Sequence, residues 1–170
     1  MLLGVACALH APLQATEPRP LADVPIPTPG GKKINLRQYR GKVVLMMIIS
    51  TTCADCIKSA EMINRIQKEY GPQGFQAVAA AGDENAQYLV EPFAQRYGLT
   101  FPVGYLNMSE MVRLADIPKD KRPVAPIFMF IDQSGTVRFQ YYGDHPFFKT
   151  VDGSTRSIVQ GLLKKQPERK

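Results

Sequence analysis

The sequence has no tryptophan, only two histidines and only three cysteines. A zinc site needs four ligands. The cysteines are Cys7, Cys53 and Cys56, so no second close pair accompanies Cys53 and Cys56. The histidines, His10 and His145, lie far apart in the chain. No resident metal or cofactor is expected. Acidic residues are outnumbered, 15 against 21 Lys and Arg, giving a formal charge of +6. Nucleic-acid binding would want that excess clustered and interleaved with exposed aromatics. It is scattered instead, so no nucleic-acid partner is expected. The one dense patch, "KKQPERK", reads as a solvated tail, with 166–170 as its end.

Residues 1–15, "MLLGVACALHAPLQA", contain no Asp, Glu, Lys or Arg. The apolar core Leu2 to Leu9 is far shorter than the about 20 residues of a membrane span. It is similar to the apolar region and small-residue end of a secretory signal, with cleavage after Ala15, although no positive residue precedes it. A lipid anchor at Cys7 is the lesser alternative, because Gly4 stands where a larger aliphatic residue is wanted. Removal of this leader would leave Cys53 and Cys56 as the cysteines of an exported, periplasmic or otherwise extracytoplasmic protein, where disulfides persist.

Charge is moderate (21% charged) and 45% of residues are hydrophobic, over 170 residues. That suffices for one domain with a sizeable core. Residues 16–30 carry Pro18, Pro20, Pro25, Pro27 and Pro29. They read as an extended linker with room for a short edge strand. Lys33 to Leu36 reads as a short strand. "VVLMMIIS" is continuously apolar, as in a strand buried on both faces. Cys56, Ala60, Ile63, Ile66 and Tyr70 then recur every three or four residues, giving one face of a helix that Gly71-Pro72 stops. "FQAVAAAG" is a second buried strand. Asp83 is expected to cap a helix that Pro92 breaks or restarts near Glu91. "FPVGYL" is extended, and Asn107 to Ala115 is helical. "PIFMFID" and "TVRFQYY" flank a turn and form a hairpin. Ser154 is expected to cap a last helix carrying Ile158, Leu162 and Leu163. The order β-α-β-α-β-β-α predicts an α/β domain with a mixed sheet.

The stretch "STTCADC" sits at the first strand-to-helix transition. A helix start carries unpaired N–H groups and partial positive charge. Both favour a thiolate, which is the nucleophile in disulfide exchange. Cys53 opens the helix, and Cys56 lies one turn further in, within reach of a mixed disulfide at Cys53. This spacing points to a redox dithiol, with a metal or structural pair as the remaining readings.

"GKKINLRQYRGKVVLMMIISTTCADC", "FAQRYGLTFPV" and "PIFMFIDQSGTV" together resemble the TlpA/ResA group of thiol–disulfide oxidoreductases. The resemblance spans about residues 22–165. It implies a thioredoxin-like fold: a four- or five-stranded sheet flanked by helices. It also implies export and disulfide exchange with protein thiols and disulfides; a reducing protein of this kind would need recharging by a membrane electron donor. Apocytochrome c thiols, misoxidised envelope proteins and small disulfides are candidate substrates, and a monomer is expected. Pro126 corresponds to the family's cis-proline, which turns the Ala125 backbone toward a substrate peptide.

Three positions depart from the family pattern. Thr52 replaces a tryptophan on the substrate side, Ser59 replaces a glutamate, and Glu61 replaces a proline. Asp55 is then the nearest candidate carboxylate, or a first-turn helix acid. Thr51 and Thr52 are candidates to hydrogen-bond the sulfur, and Lys58 reads as solvated surface. With an acid and no cation between the cysteines, the pair is expected to be reducing. Two alternatives stand beside this. A peroxiredoxin-like peroxidase needs Pro-x-x-x-Thr/Ser-x-x-Cys; Ser50 and Cys53 fit, but Met46 replaces the proline. A copper-carrying chaperone would need His145 near the pair.

Overall fold

The computed structural model describes residues 18–164. The leader 1–15, Cys7 and the tail 166–170 lie outside the described residues. The strands and helices are β1 (Arg19–Pro20), β2 (Ile26–Pro27), β3 (Lys33–Ile34), β4 (Val43–Ile49), α1 (Ala54–Tyr70), β5 (Phe75–Ala81) and α2 (Ala86–Arg96), followed by β6 (Val103–Tyr105), α3 (Met108–Ala115), β7 (Ile127–Ile131), β8 (Thr136–Tyr141) and α4 (Val151–Lys164). Six strands form a mixed sheet in the order β1-β8-β7-β4-β5-β6, and β2 and β3 make a separate hairpin.

Strand β4 is central and all seven of its residues are buried. It runs parallel to β5 and antiparallel to β7. Its side chains alternate between two cores, as a two-residue period dictates. Val43, Leu45, Met47 and Ile49 join the buried faces of α1, α2 and α4. Val44, Met46 and Ile48 meet α3 and the β2–β3 hairpin. The expected face of α1, Cys56, Ala60, Ile63, Ile66 and Tyr70, is buried throughout.

Several local expectations are corrected. The sheet has six strands because β1 joins it from within the proline-rich segment. Pro20 cannot donate to a ladder and sits at the edge, where that costs little. Arg19 fastens this strand, donating to Gln140 Oε1 at 2.7 Å and to the Leu114 carbonyl at 3.3 Å. The strand expected over Lys33 to Leu36 ends at Ile34, because Asn35 caps a 3-10 turn over Leu36–Tyr39 by accepting from the Arg37 amide. Pro92 lies inside an unbroken α2. The carbonyl it leaves unbonded belongs to Tyr88, an exposed residue, where water can take the free acceptor. Helix α4 begins at Val151 rather than after Ser154, because it continues a 3-10 turn over Pro146–Thr150 capped by His145. The extended "FPVGYL" and the helix expected over Asn107 to Ala115 are present as β6 and α3, a βα unit that the order β-α-β-α-β-β-α left out. Asn107 and Glu110 close a capping box at the start of α3.

Candidate active site at the carboxyl end of the central strand

Strand β4 ends at Ile49, and Ser50, Thr51 and Thr52 turn the chain into α1. Cys53 is the N-cap residue, with φ −77° and ψ 122° and no side-chain cap bond. Its side chain is therefore not committed to the helix end and is partly exposed. Cys56 is fully buried, one turn in. Its Sγ accepts a hydrogen bond from the Ser50 amide at 3.4 Å. Both cysteines carry free thiols.

Burial pushes the Cys56 thiol up to about 12, because a thiolate there would lose its water. The Ser50 amide opposes this, and the neighbouring Cys53 and Asp83 add to it. The two thiols thus occupy different environments: one at an open helix start, one protonated in the core.

Asp55 and Lys58 do not face the pair. They are 79% and 77% exposed and stand 3.7 Å apart as a surface ion pair. Thr52 is exposed, with Oγ1 3.2 Å from Ser50 Oγ. Thr51 uses its amide, not its hydroxyl, donating to Asp83 Oδ2 at 2.7 Å. Asp83 therefore does not cap α2, whose N-cap is Asn85 in the left-handed region at φ 61°. The sheet register explains the contact. Parallel pairing of Ile49 with Ala81 puts Thr51 level with Asp83 two residues on. Sequence reasoning overlooked this carboxylate, and its signal is the shared end of two buried strands. Ser59, at the position where the resembling family has an acid, is buried at 4% exposure.

The Ala125–Pro126 peptide is cis. Ile127 pairs with Ile48, so continuing the register puts Pro126 level with Ile49 and Ala125 level with Ser50. Cys53 and Ala125 pack against the same core. Gly143 holds this segment from behind: its amide donates to the Val124 carbonyl at 2.8 Å. A Cβ at position 143 would lie 2.5 Å from the Ala125 oxygen. The sequence reading did not single out Gly143; only the fold shows the close approach.

His145 is engaged as a cap rather than as a ligand. Its Nδ1 accepts from the Phe147 amide at 3.0 Å and its ring lies 4.9 Å from that of Tyr141. Among the described residues no group of three or more His, Cys, Asp and Glu side chains could hold a metal ion. Met46 lies mid-strand in the second core, away from the turn that carries Cys53. Among the described residues no helix is long and apolar enough to cross a membrane.

Residues 18–140 match the profile of the AhpC/TSA family. The thiol-disulfide oxidoreductase ResA of Bacillus thuringiensis (strain Al Hakam) is 28% identical over 135 residues, which cover 79% of this chain and 69% of that protein. A thiol:disulfide interchange protein of the thioredoxin family from Chlorobium tepidum TLS superposes with a TM-score of 0.72 at 21% identity, covering 86% of this chain and 97% of that one. A secreted thiol-disulfide isomerase from Corynebacterium glutamicum superposes with a TM-score of 0.70 at 17% identity, covering 85% and 86%. The fold is thioredoxin-like.

Proposed function

This chain belongs to the AhpC/TSA family, and from that premise we propose that it is an extracytoplasmic thiol–disulfide oxidoreductase that reduces disulfides in other proteins. The observation that carries this reading is the asymmetric pair: Cys53 partly exposed at a helix start, Cys56 buried one turn behind it. The name of the ResA relative supports the reaction class.

In the proposed cycle the Cys53 thiolate attacks one sulfur of a substrate disulfide. A Cys53–substrate disulfide forms, and the other substrate sulfur leaves as a thiolate. Cys56 gives up its proton, which that thiolate can take, and attacks Cys53 Sγ. The internal Cys53–Cys56 disulfide closes and the second substrate thiolate departs. Two electrons have passed to the substrate. A dithiol donor, which we place in the membrane, returns them by the reverse exchange. Ala125 and Pro126, level with the end of β4, and exposed Thr52 are the proposed substrate-contact residues.

The reducing direction follows from charge. Strong oxidants of this chemistry owe their potential to a stabilised reduced form. Here Lys58 is paired with Asp55 in solvent, and Cys56 stays protonated. The potential should therefore lie nearer thioredoxin's, about −270 mV, than the about −120 mV of strong periplasmic oxidants. Equilibration with a glutathione or dithiothreitol couple measures it, and a value near the oxidant end would overturn the direction. The composition of residues 1–15 supports the extracytoplasmic location; N-terminal sequencing of the protein from its host should begin near Thr16. An intact Met1 or a lipid on Cys7 would contradict that.

The peroxidase alternative gains little from the site. Position 46 is a buried strand residue, and no proline stands at the start of the motif.

A further inference from the structure

We propose that Asp83 is a positioning residue of the dithiol site, whose carboxylate clamps the Ser50–Thr52 turn and whose charge slows the resolving attack by Cys56. The inference rests on the reading of Cys53 and Cys56 as an attacking and a resolving thiol.

The geometry has two parts. The first is the clamp. Asp83 Oδ2 accepts from the Thr51 amide at 2.7 Å across 32 residues of sequence. A charged acceptor makes this a strong bond, roughly twice a neutral one. It ties the turn that presents Cys53 to the end of β5. The same turn supplies the Ser50 amide that bonds Cys56 Sγ. One carboxylate thus fixes the chain segment that contacts one sulfur and leads into the other.

The second part is charge. The ionisable groups acting on the Cys56 sulfur are Cys53, from the helix start, and Asp83, from the end of β5. The segment leading into β7 contributes Ala125 and Pro126 level with the end of β4, and neither carries a charge. On α1 itself, Asp55 and Lys58 neutralise each other in solvent. Asp83 is then the anion bonded to the turn whose Ser50 amide holds the Cys56 sulfur; its charge adds, as the smallest contribution, to the rise of that thiol, because a like charge disfavours a thiolate. Only the thiolate attacks a disulfide. The Asp83 oxygen that the structure bonds is occupied by Thr51, and no hydrogen bond joins Asp83 to Cys56. The arrangement therefore fits a brake on the second step better than a proton acceptor for it. A slower second step lengthens the life of the enzyme–substrate disulfide.

The test is stopped-flow reaction of the reduced full-length protein with 5,5′-dithiobis(2-nitrobenzoate) across pH 6 to 9. Attack by Cys53 releases one thionitrobenzoate and leaves the other on Cys53. Attack by Cys56 then releases the second and closes the internal disulfide, with two protons lost overall. The first phase reads Cys53, the second Cys56. Asp83→Asn keeps an acceptor for Thr51 and removes the charge. Its first phase reports the weaker, neutral clamp and should slow less than that of Asp83→Ala. Its second phase should be faster, by about threefold for each tenfold gain in thiolate, since that gain costs roughly threefold in nucleophilicity. Asp83→Ala should show the faster second phase and, with the clamp gone, a slower first phase.

An unchanged second phase in Asp83→Asn at every pH overturns the charge role. A slower one makes Asp83 a proton acceptor and overturns it equally. An unchanged first phase in folded Asp83→Ala overturns the clamp. Wild-type protein that releases only one thionitrobenzoate defeats the dithiol reading itself, which separates that failure from failure of the Asp83 assignment.

Discussion

At the scale of single residues, the account depends on two chemically identical side chains in unlike places. Cys53 caps a helix with its backbone alone, and Cys56 is closed off by the core. Iodoacetamide applied to the reduced protein at neutral pH should label Cys53 and leave Cys56 unlabelled until the chain is unfolded; equal labelling by peptide mass analysis would contradict the assignment. The raised Cys56 thiol also has a consequence for stability. Above the ordinary thiol range the unfolded chain loses this proton while the folded chain keeps it. Stability then falls as pH rises from there toward about 12, the value for the folded state. Denaturant midpoints of the reduced protein should decline over that range, and Cys56→Ser should remove part of the decline. The pair was legible because strand, turn and helix are encoded in adjacent residues. Asp83 was not, because its partner lies 32 residues away and only the β4–β5 register brings them level. Its first-glance reading, a helix cap, is the commoner use of an aspartate before a helix.

At the scale of elements, α1 carries the site and is held by a buried polar joint as well as by its apolar face. Asn64 donates to the Gly98 carbonyl at 2.8 Å and accepts from the amide and hydroxyl of Thr100, both at 2.8 Å. This joins α1 to the connection between α2 and β6. Asn64→Ala should cost about 1–3 kcal/mol by leaving those partners unsatisfied, read as a lower urea midpoint with an unchanged slope. A loss below about 0.5 kcal/mol would mean that water replaces the side chain. The second element to test is the segment behind Ala125. In Gly143→Ala the new Cβ meets backbone, not a flexible side chain, so the segment has to shift. Disulfide exchange should slow several-fold while Cys53 alkylation stays unchanged; an unaltered exchange rate would remove Ala125 and Pro126 from the substrate path. Long periodic elements such as β4 and α1 were readable because every residue repeats the same pattern. Strands β1 and β6, two and three residues long, carry no period of their own. They are placed by Arg19 anchoring and by pairing to β5, which are long-range facts.

At the scale of the whole molecule, the α/β order and the mixed sheet follow from alternating buried strands and amphipathic helices. That alternation puts the carboxyl ends of β4 and β5 and the start of β7 at one end of the sheet. The dithiol, Asp83 and Ala125–Pro126 gather there from three distant stretches of sequence. The potential of such a pair should fall with pH by about 59 mV per unit while both thiols are protonated, one proton accompanying each electron. The share due to Cys56 should persist to about pH 12. The central claim, that Cys53 attacks and Cys56 resolves, is tested most directly by trapping. Cys56→Ser and Cys53→Ser variants are expressed in the host, thiols are quenched with acid, and covalent complexes are resolved on non-reducing gels. The account predicts thiol-sensitive complexes that accumulate with Cys56→Ser and are absent with Cys53→Ser. Complexes that accumulate with Cys53→Ser instead would reverse the roles and contradict it.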